Sequence, residues 1–196
     1  VGKFVSAIRP GFTRISSVAS AFAGYAGILP AVLENARDRG ERVHKIIYNI
    51  MSDLPVPNEM YKFKDTTLHT YLESWSQFYS PYLGSKIVLQ EERIDDDATM
   101  LTGEPDLIIE HQGKLKLFDW KCSYSVGKHW RLQGSGYHYL ASTAGLKVDE
   151  IYFIKLDKNG KPPIVTQYVP SWEQFFSAYD LYKEYLKDIK CNLEDE

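Results

Sequence analysis

The chain has 196 residues, 44% apolar and 25% charged, an ordinary globular composition at a length expected to make one domain, residues 1–196, with its own core. Lys and Arg number 23 against 26 Asp and Glu, a net charge of −3, so no global positive field draws the protein to nucleic acid or anionic lipid. Intrinsic disorder is excluded, and binding of a polyanion requires a local basic patch.

Residues 15–33 are nearly uncharged and follow Lys3, Arg9 and Arg14, but they are built from Ala, Gly and Ser and are interrupted by Pro30. This predicts a buried N-terminal segment rather than a signal peptide or membrane span. Pro30 suits a first helical turn, and Leu33, Ala36, Val43, Ile47 and Ile50 recur at helical spacing, predicting a helix over 31–53 that Leu54-Pro55-Val56-Pro57 stops. A second helix is predicted over 66–80, its stripe of Tyr71, Trp75, Phe78 and Tyr79 assigned to core rather than to base stacking. Strand-like runs follow at 87–89, 107–109, 115–121 and 151–156. Residues 128–144 and 171–189 read as helices, the latter presenting Trp172, Phe175, Phe176, Tyr179, Tyr182 and Leu186. The order predicts an α/β fold, a central mixed β-sheet flanked by helices. Cys122 and Cys191 are two and far apart, which excludes a four-thiolate zinc site or an iron–sulphur cluster and fits reduced thiols in an intracellular protein.

Residues 102–121 carry the chemistry. With Gln112-Gly113 as a two-residue turn, His111 pairs with Lys114, and the register then sets Asp106 opposite Asp119. Cβ atoms of such a pair are about 4.5–5.5 Å apart, so the carboxylates repel unless a divalent cation neutralises them. On this reading Asp106→Asn stabilises the metal-free chain. Side chains alternate, so Leu115, Leu117, Asp119 and Lys121 share one face and Phe118 and Trp120 the other. Two carboxylates and an ammonium suit metal-assisted phosphodiester hydrolysis, although an Asp-x-Lys hairpin by itself fits a solvated surface equally. By the same alternation Glu91, not Glu92, points with Ile87 and Leu89 toward the core and extends the acidic cluster. Asp95, Asp96 and Asp97 lack the glycine and distal Glu of a calcium loop and read as a solvated turn. Gly40, Gly134 and Gly136 sit inside predicted helices, where only close backbone approach justifies them.

Gly103-Glu-Pro-Asp106, then Asp119-Trp-Lys121, then Gln133-x-x-x-Tyr137, with an upstream Gly40-x-x-x-His44, resembles the PD-(D/E)XK nuclease superfamily. The pattern is similar to its RecB-type exonuclease branch in stand-alone, phage-type or organellar form. The resemblance implies a restriction-endonuclease-like core, with 1–60 a helical N-terminal part contributing His44. It implies Mg²⁺ or Mn²⁺ held by His44, Asp106, Asp119 and the Trp120 carbonyl, Lys121 as the catalytic lysine beside Asp106 and Asp119, and Gln133 and Tyr137 on a helix at the active site. The expected activity is a metal-dependent DNA exonuclease acting at ends or in single strands, in recombination, repair or replication; the alternative is a silent nucleic-acid-binding protein that uses the fold for assembly. Arg37, Arg39, Arg42, Lys128 and Arg131 are the cations expected to meet DNA; no membrane partner is expected, and the setting is a bacterial or phage-infected cytoplasm or an organelle.

Overall fold

The structure, a computed structural model, describes residues 9–25, 27–64 and 66–186. Its elements are β1 (Thr13–Arg14), α1 (Ile15–Ala21), α2 (Pro30–Met51), β2 (Lys62–Phe63), β3 (Thr66–Thr67), α3 (His69–Tyr79), β4 (Lys86–Gln90), β5 (Ile94–Asp96), β6 (Leu101–Gly103), β7 (Leu107–His111), β8 (Lys114–Lys121), α4 (Trp130–Thr143), β9 (Glu150–Lys155), β10 (Ile164–Tyr168) and α5 (Trp172–Leu181). Five strands form the main sheet in the order β10-β9-β8-β7-β4. Only β8 and β9 run parallel, joined by α4 as the crossover, so the sheet is mixed.

The centre of this sheet is buried on both faces, and the alternation of β8 shows how. Leu117 points with Ile108, Ile151 and Phe153 into a core closed by α1, α4 and α5. Phe118 and Trp120 point with Leu107, Ile109 and Ile154 into a second core closed by α2 and α3. The result is three layers, helices on both sides of a sheet. In the second core, the α3 stripe lies edge-on to the sheet aromatics, Phe78 against Phe118 at 5.2 Å and Trp75 against Trp120 at 6.4 Å between ring centres. The stripe is core.

Several expectations shift. The apolar face of α2 is Val43, Ile46 and Ile47, while Ile50 is exposed and the first three turns bury nothing fully. Residues 66–67 form a two-residue hairpin arm with Lys62–Phe63 instead of opening α3. A bulge between Ile87 and Leu89 breaks the alternation of β4, leaving Ile87 exposed and Leu89 buried. Strand β10 and the small sheet β1-β6-β5 were not legible, because the strands are only two to five residues long and β1 exists through pairing with β6, far along the chain. The Asp95–Asp97 turn is not merely solvated: Arg9 pairs with Asp97 at 2.9 Å, Thr102 donates to Asp95 at 2.5 Å, and Tyr139 of α4 donates to Asp96 at 2.9 Å. Helix α5 ends at Leu181 and passes into a π-helical turn, Tyr182–Leu186; Cys191 and the predicted residues 187–189 lie outside the described residues.

The helix glycines divide. A Cβ on Gly136 would stand 2.6 Å from Ile15 of α1 and 2.8 Å from Phe175 of α5, and one on Gly134 would stand 3.0 Å from Phe153. These two residues let α4 sit down between sheet and helices. Gly40 has nothing within 4 Å, so close approach does not explain it. Gly136→Ala is therefore expected to destabilise by about 1–3 kcal/mol through overpacking. Gly40→Ala should instead stabilise by up to about 1 kcal/mol, because a methyl group there meets open space and alanine is the better helix former. Urea unfolding of the two variants checks the contrast; equal midpoints would contradict it.

Candidate active site

Two polar clusters meet where β7 begins and β8 ends. The turn at Gln112 and Gly113 has φ of 53° and 73°, the left-handed pair that a two-residue hairpin requires, and the register runs from His111↔Lys114 to Leu107↔Phe118. Asp106 lies one step beyond that last pair. Its Oδ2 accepts the Trp120 backbone N–H at 2.6 Å, and its carbonyl accepts the N–H of Glu91 at 3.1 Å. Asp106 thus closes the open end of the ladder. Glu91 itself has left β4, with φ of 45° and a half-buried position.

Helix α2 brings His44 to the same point. Its Nδ1 lies 3.2 Å from Asp106 Oδ1 and its Nε2 2.9 Å from the Trp120 carbonyl. On the other side, Asp119 is buried beneath α4, where Gln133 donates to Asp119 Oδ2 at 3.3 Å and to the Tyr137 hydroxyl at 3.1 Å. Gln133 and Tyr137 are one turn apart, so both reach inward from the same face. Lys121 contacts Asp119 Oδ1 with its ammonium, which lies 5.3 Å from the centre of the Phe153 ring.

The four ionisable groups are not equivalent. Burial opposes a charge on His44, but the Asp106 carboxylate and its hydrogen bond outweigh that and raise the imidazole to about 9. His44 is therefore protonated at neutral pH and donates from both nitrogens. Burial also opposes ionisation of Asp106, yet His44, Lys121 and the Trp120 N–H hold it below the ordinary aspartate value. Asp119 is the poorly compensated anion. Burial pushes it up to about 6, with Asp106 adding to the rise, although Lys121 pulls the other way.

Among the described residues no three His, Cys, Asp or Glu side chains already converge as a chelate, and His44 stands between the Asp106 and Trp120 oxygens as a bridge. The donor set is still the one a hard divalent ion takes: two carboxylates, a main-chain carbonyl and an imidazole. Asp119 Oδ1 supplies the sharpest sign, a solvent-shielded carboxylate oxygen met by the Lys121 ammonium. The residues fit the ion.

The basic residues separate. Arg39 is spent inside the fold, donating to the Cys122 carbonyl at 3.1 Å and lying over Tyr71. Arg42 donates to the Lys62 carbonyl at 3.2 Å, whereas Arg37, Lys128 and Arg131 are exposed. Cys122 is buried, and burial pushes its thiol up to about 12, which leaves it unreactive. Sequence reasoning passed over Phe153, on which Trp130, Tyr168 and Lys121 all converge; a buried aromatic in an ordinary strand carries no signal of that kind.

The balance of charge reverses the expectation for Asp106. A carboxylate whose folded pKa is lowered stabilises above its unfolded pKa, so with divalent ions chelated Asp106→Asn should lose on the order of 3 kcal/mol at pH 7.5 by leaving His44 unpaired. A carboxylate whose folded pKa is raised loses its contribution as pH climbs through that value, here about 6. Asp119→Asn should accordingly stabilise by about 1–2 kcal/mol at pH 7.5 and much less at pH 5. Urea titrations in EDTA at the two pH values test this, and stabilisation by Asp106→Asn would refute it.

No family model matches the chain, and no curated protein does. Among solved structures it is similar to the alkaline exonuclease LHK-Exo from Laribacter hongkongensis, with a TM-score of 0.50, 10% identity, and 94% of this chain and 90% of that one covered. The same protein in complex with dAMP gives 0.49 at 11% identity, with coverage of 94% and 90%. SSO0001 gives 0.42 at 12% identity, with coverage of 88% and 75%. At such identities the likeness is one of fold: a central mixed sheet flanked by helices.

Proposed function

We propose that this protein is a divalent-metal-dependent nuclease that hydrolyses phosphodiester bonds in DNA, working as an exonuclease from ends or along single strands. The observation that carries the reading is the meeting of Asp106, Asp119, Lys121, His44 and the Trp120 carbonyl at one sheet end, drawn from segments 62 and 76 residues apart in sequence. An Asp-x-Lys hairpin lying on a solvated surface has no reason to bury its aspartate beneath a helix glutamine. The likeness in fold to a protein described as an alkaline exonuclease supports the same class.

Asp106, Asp119, the Trp120 carbonyl and His44 would hold a Mg²⁺ or Mn²⁺ ion, which when bound lowers the pKa of a coordinated water and draws charge from the phosphoryl group. The chain's own groups do the rest. Lys121, held by Asp119 and by the face of Phe153, presents a fixed ammonium to the charge that develops on the phosphoryl oxygens. Gln133 fixes the rotamer of Asp119, and Tyr137 fixes Gln133. His44 orients Asp106 and the Trp120 carbonyl, and its proton must leave if its nitrogen is to ligate. The cluster thus trades an internal cation for an external one.

The deciding assay incubates end-labelled single- and double-stranded DNA and RNA, linear and circular, with Mg²⁺, Mn²⁺ or EDTA. Metal-dependent loss of linear DNA with circular DNA spared is the expected result. DNA binding without cleavage in either metal would favour the assembly role instead. Within this reading, Asp119→Asn and Lys121→Ala are each expected to reduce the rate by at least about 10²-fold. They should separate in metal binding. A ligand at a hundredfold excess over Kd stabilises the native state by about 2.7 kcal/mol, a melting shift that Lys121→Ala should keep and Asp119→Asn should lose. Loss of the shift in both variants would contradict the division of roles.

A further inference from the structure

Beside Lys121 the surface changes character. The loop 122–129, between β8 and α4, carries Tyr124 at 92% exposure and Val126 at 40%. An exposed tyrosine of this degree contributes nothing to the core, and Ser123 donates to the Ser125 carbonyl at 2.8 Å across the loop tip that displays it. Across the loop's far end, Tyr25 meets the His129 ring edge-on at 6.1 Å between centres and is itself 44% exposed.

An open groove of about 310 Å³ lies against the same loop, lined by Val126, Lys128, Arg131 and Tyr168. Among the described residues neither Lys128 nor Arg131 is in an ion pair, unlike Arg9, Arg93, Lys86, Lys114, Lys116 and Lys183. The groove is separated from the candidate active site by one buried ring, Phe153. Tyr168 packs edge-on against Phe153 at 5.6 Å, and the Lys121 ammonium lies over that ring. Two cations outside any ion pair, beside the half-buried Tyr168 and four and seven residues along the chain from the exposed Tyr124, match a polyanion whose flat faces are free.

We infer that this groove and the loop beside it are the track of a single DNA strand, with Lys128 and Arg131 on its phosphates and Tyr124, on the loop, stacked on a base. This rests on the nuclease reading for the class of substrate and adds the choice of strand state. Bases inside a duplex already stack on one another and have no face to offer Tyr124, whereas every unpaired base has one. Cations alone would bind either form; the exposed ring is what discriminates.

The test uses the full chain in Ca²⁺ buffer and a fluorescent oligothymidine strand beside a blunt hairpin duplex, both followed by anisotropy. Tyr124→Ala should weaken single-strand binding roughly tenfold while Tyr124→Phe restores it, as base–aromatic stacking requires. Hairpin binding should not respond to either variant. Removing Lys128 and Arg131 together should flatten the single-strand salt dependence by about 1.4 in log K against log salt, at about 0.7 for each phosphate released. Equal weakening on strand and duplex by Tyr124→Ala, no weakening at all, or an unchanged slope in the double variant would each overturn the inference. A separate readout, hydrolysis of the p-nitrophenyl ester of thymidine 5′-phosphate by the unaltered protein in Mg²⁺, reports on the phosphodiester chemistry alone. A stacking defect confined to the single strand sustains the groove even if that ester is inert, so failure of the groove and failure of the nuclease reading are distinguishable.

Discussion

Strand β8 is covered on both faces, by α4 over Leu117 and by α3 over Phe118 and Trp120. The alternation of a strand therefore carries Asp119 to the α4 side at the place where the sheet ends, and a carboxylate arrives in a low-dielectric position that it would not choose in water. The neighbouring polar features answer that one constraint. Gln133 occupies an otherwise apolar helix face to donate to it, Tyr137 holds Gln133, and Lys121 supplies the counter-charge. Gly134 and Gly136 permit the helix to come this near, because a methyl group at either would strike Phe153, Ile15 or Phe175.

Two anions and two cations packed together cost desolvation, and a pair of this kind is weak evidence for stability. The distribution of the cost is informative. His44 and Asp106 satisfy each other and also secure the end of the β7–β8 ladder through the Trp120 N–H and carbonyl. Asp119, buried and beside Asp106, is compensated less well, and its shielded Oδ1 has Lys121 against it. Such an imbalance in a buried cluster of titratable groups is of the kind that concentrates at functional sites. The nearby surface differs in kind, with an exposed ring at Tyr124 and the cations Lys128 and Arg131 in place of buried carboxylates.

Much of this was readable from the residues in order. Hydrophobic period placed the four long helices and the central strands, since burial on one or two faces writes itself into spacing, and the Gln112-Gly113 turn fixed the hairpin register because only left-handed dihedrals close a two-residue loop. The grouping of His44, Asp106, Asp119, Lys121 and Gln133 was suggested by motif and is spatial in the structure. Other features left no local trace. The bulge in β4 exists only through its pairing with β7, β10 is a short and mostly exposed strand, and Arg39, read as a cation for DNA, is consumed by the Cys122 carbonyl 83 residues away.

The sequence by itself determined the layers, the hairpin register and the identity of the chemical groups, because periodicity and turn dihedrals are local properties of the chain. Which carboxylate bears the unfavourable charge, which arginines are used inside the fold, and where the basic groove opens were decided only by tertiary structure. Those depend on what lies across a gap of a few ångströms: His44 against Asp106, α4 against Asp119, and Tyr168 against Phe153, contacts between segments that no window of sequence contains.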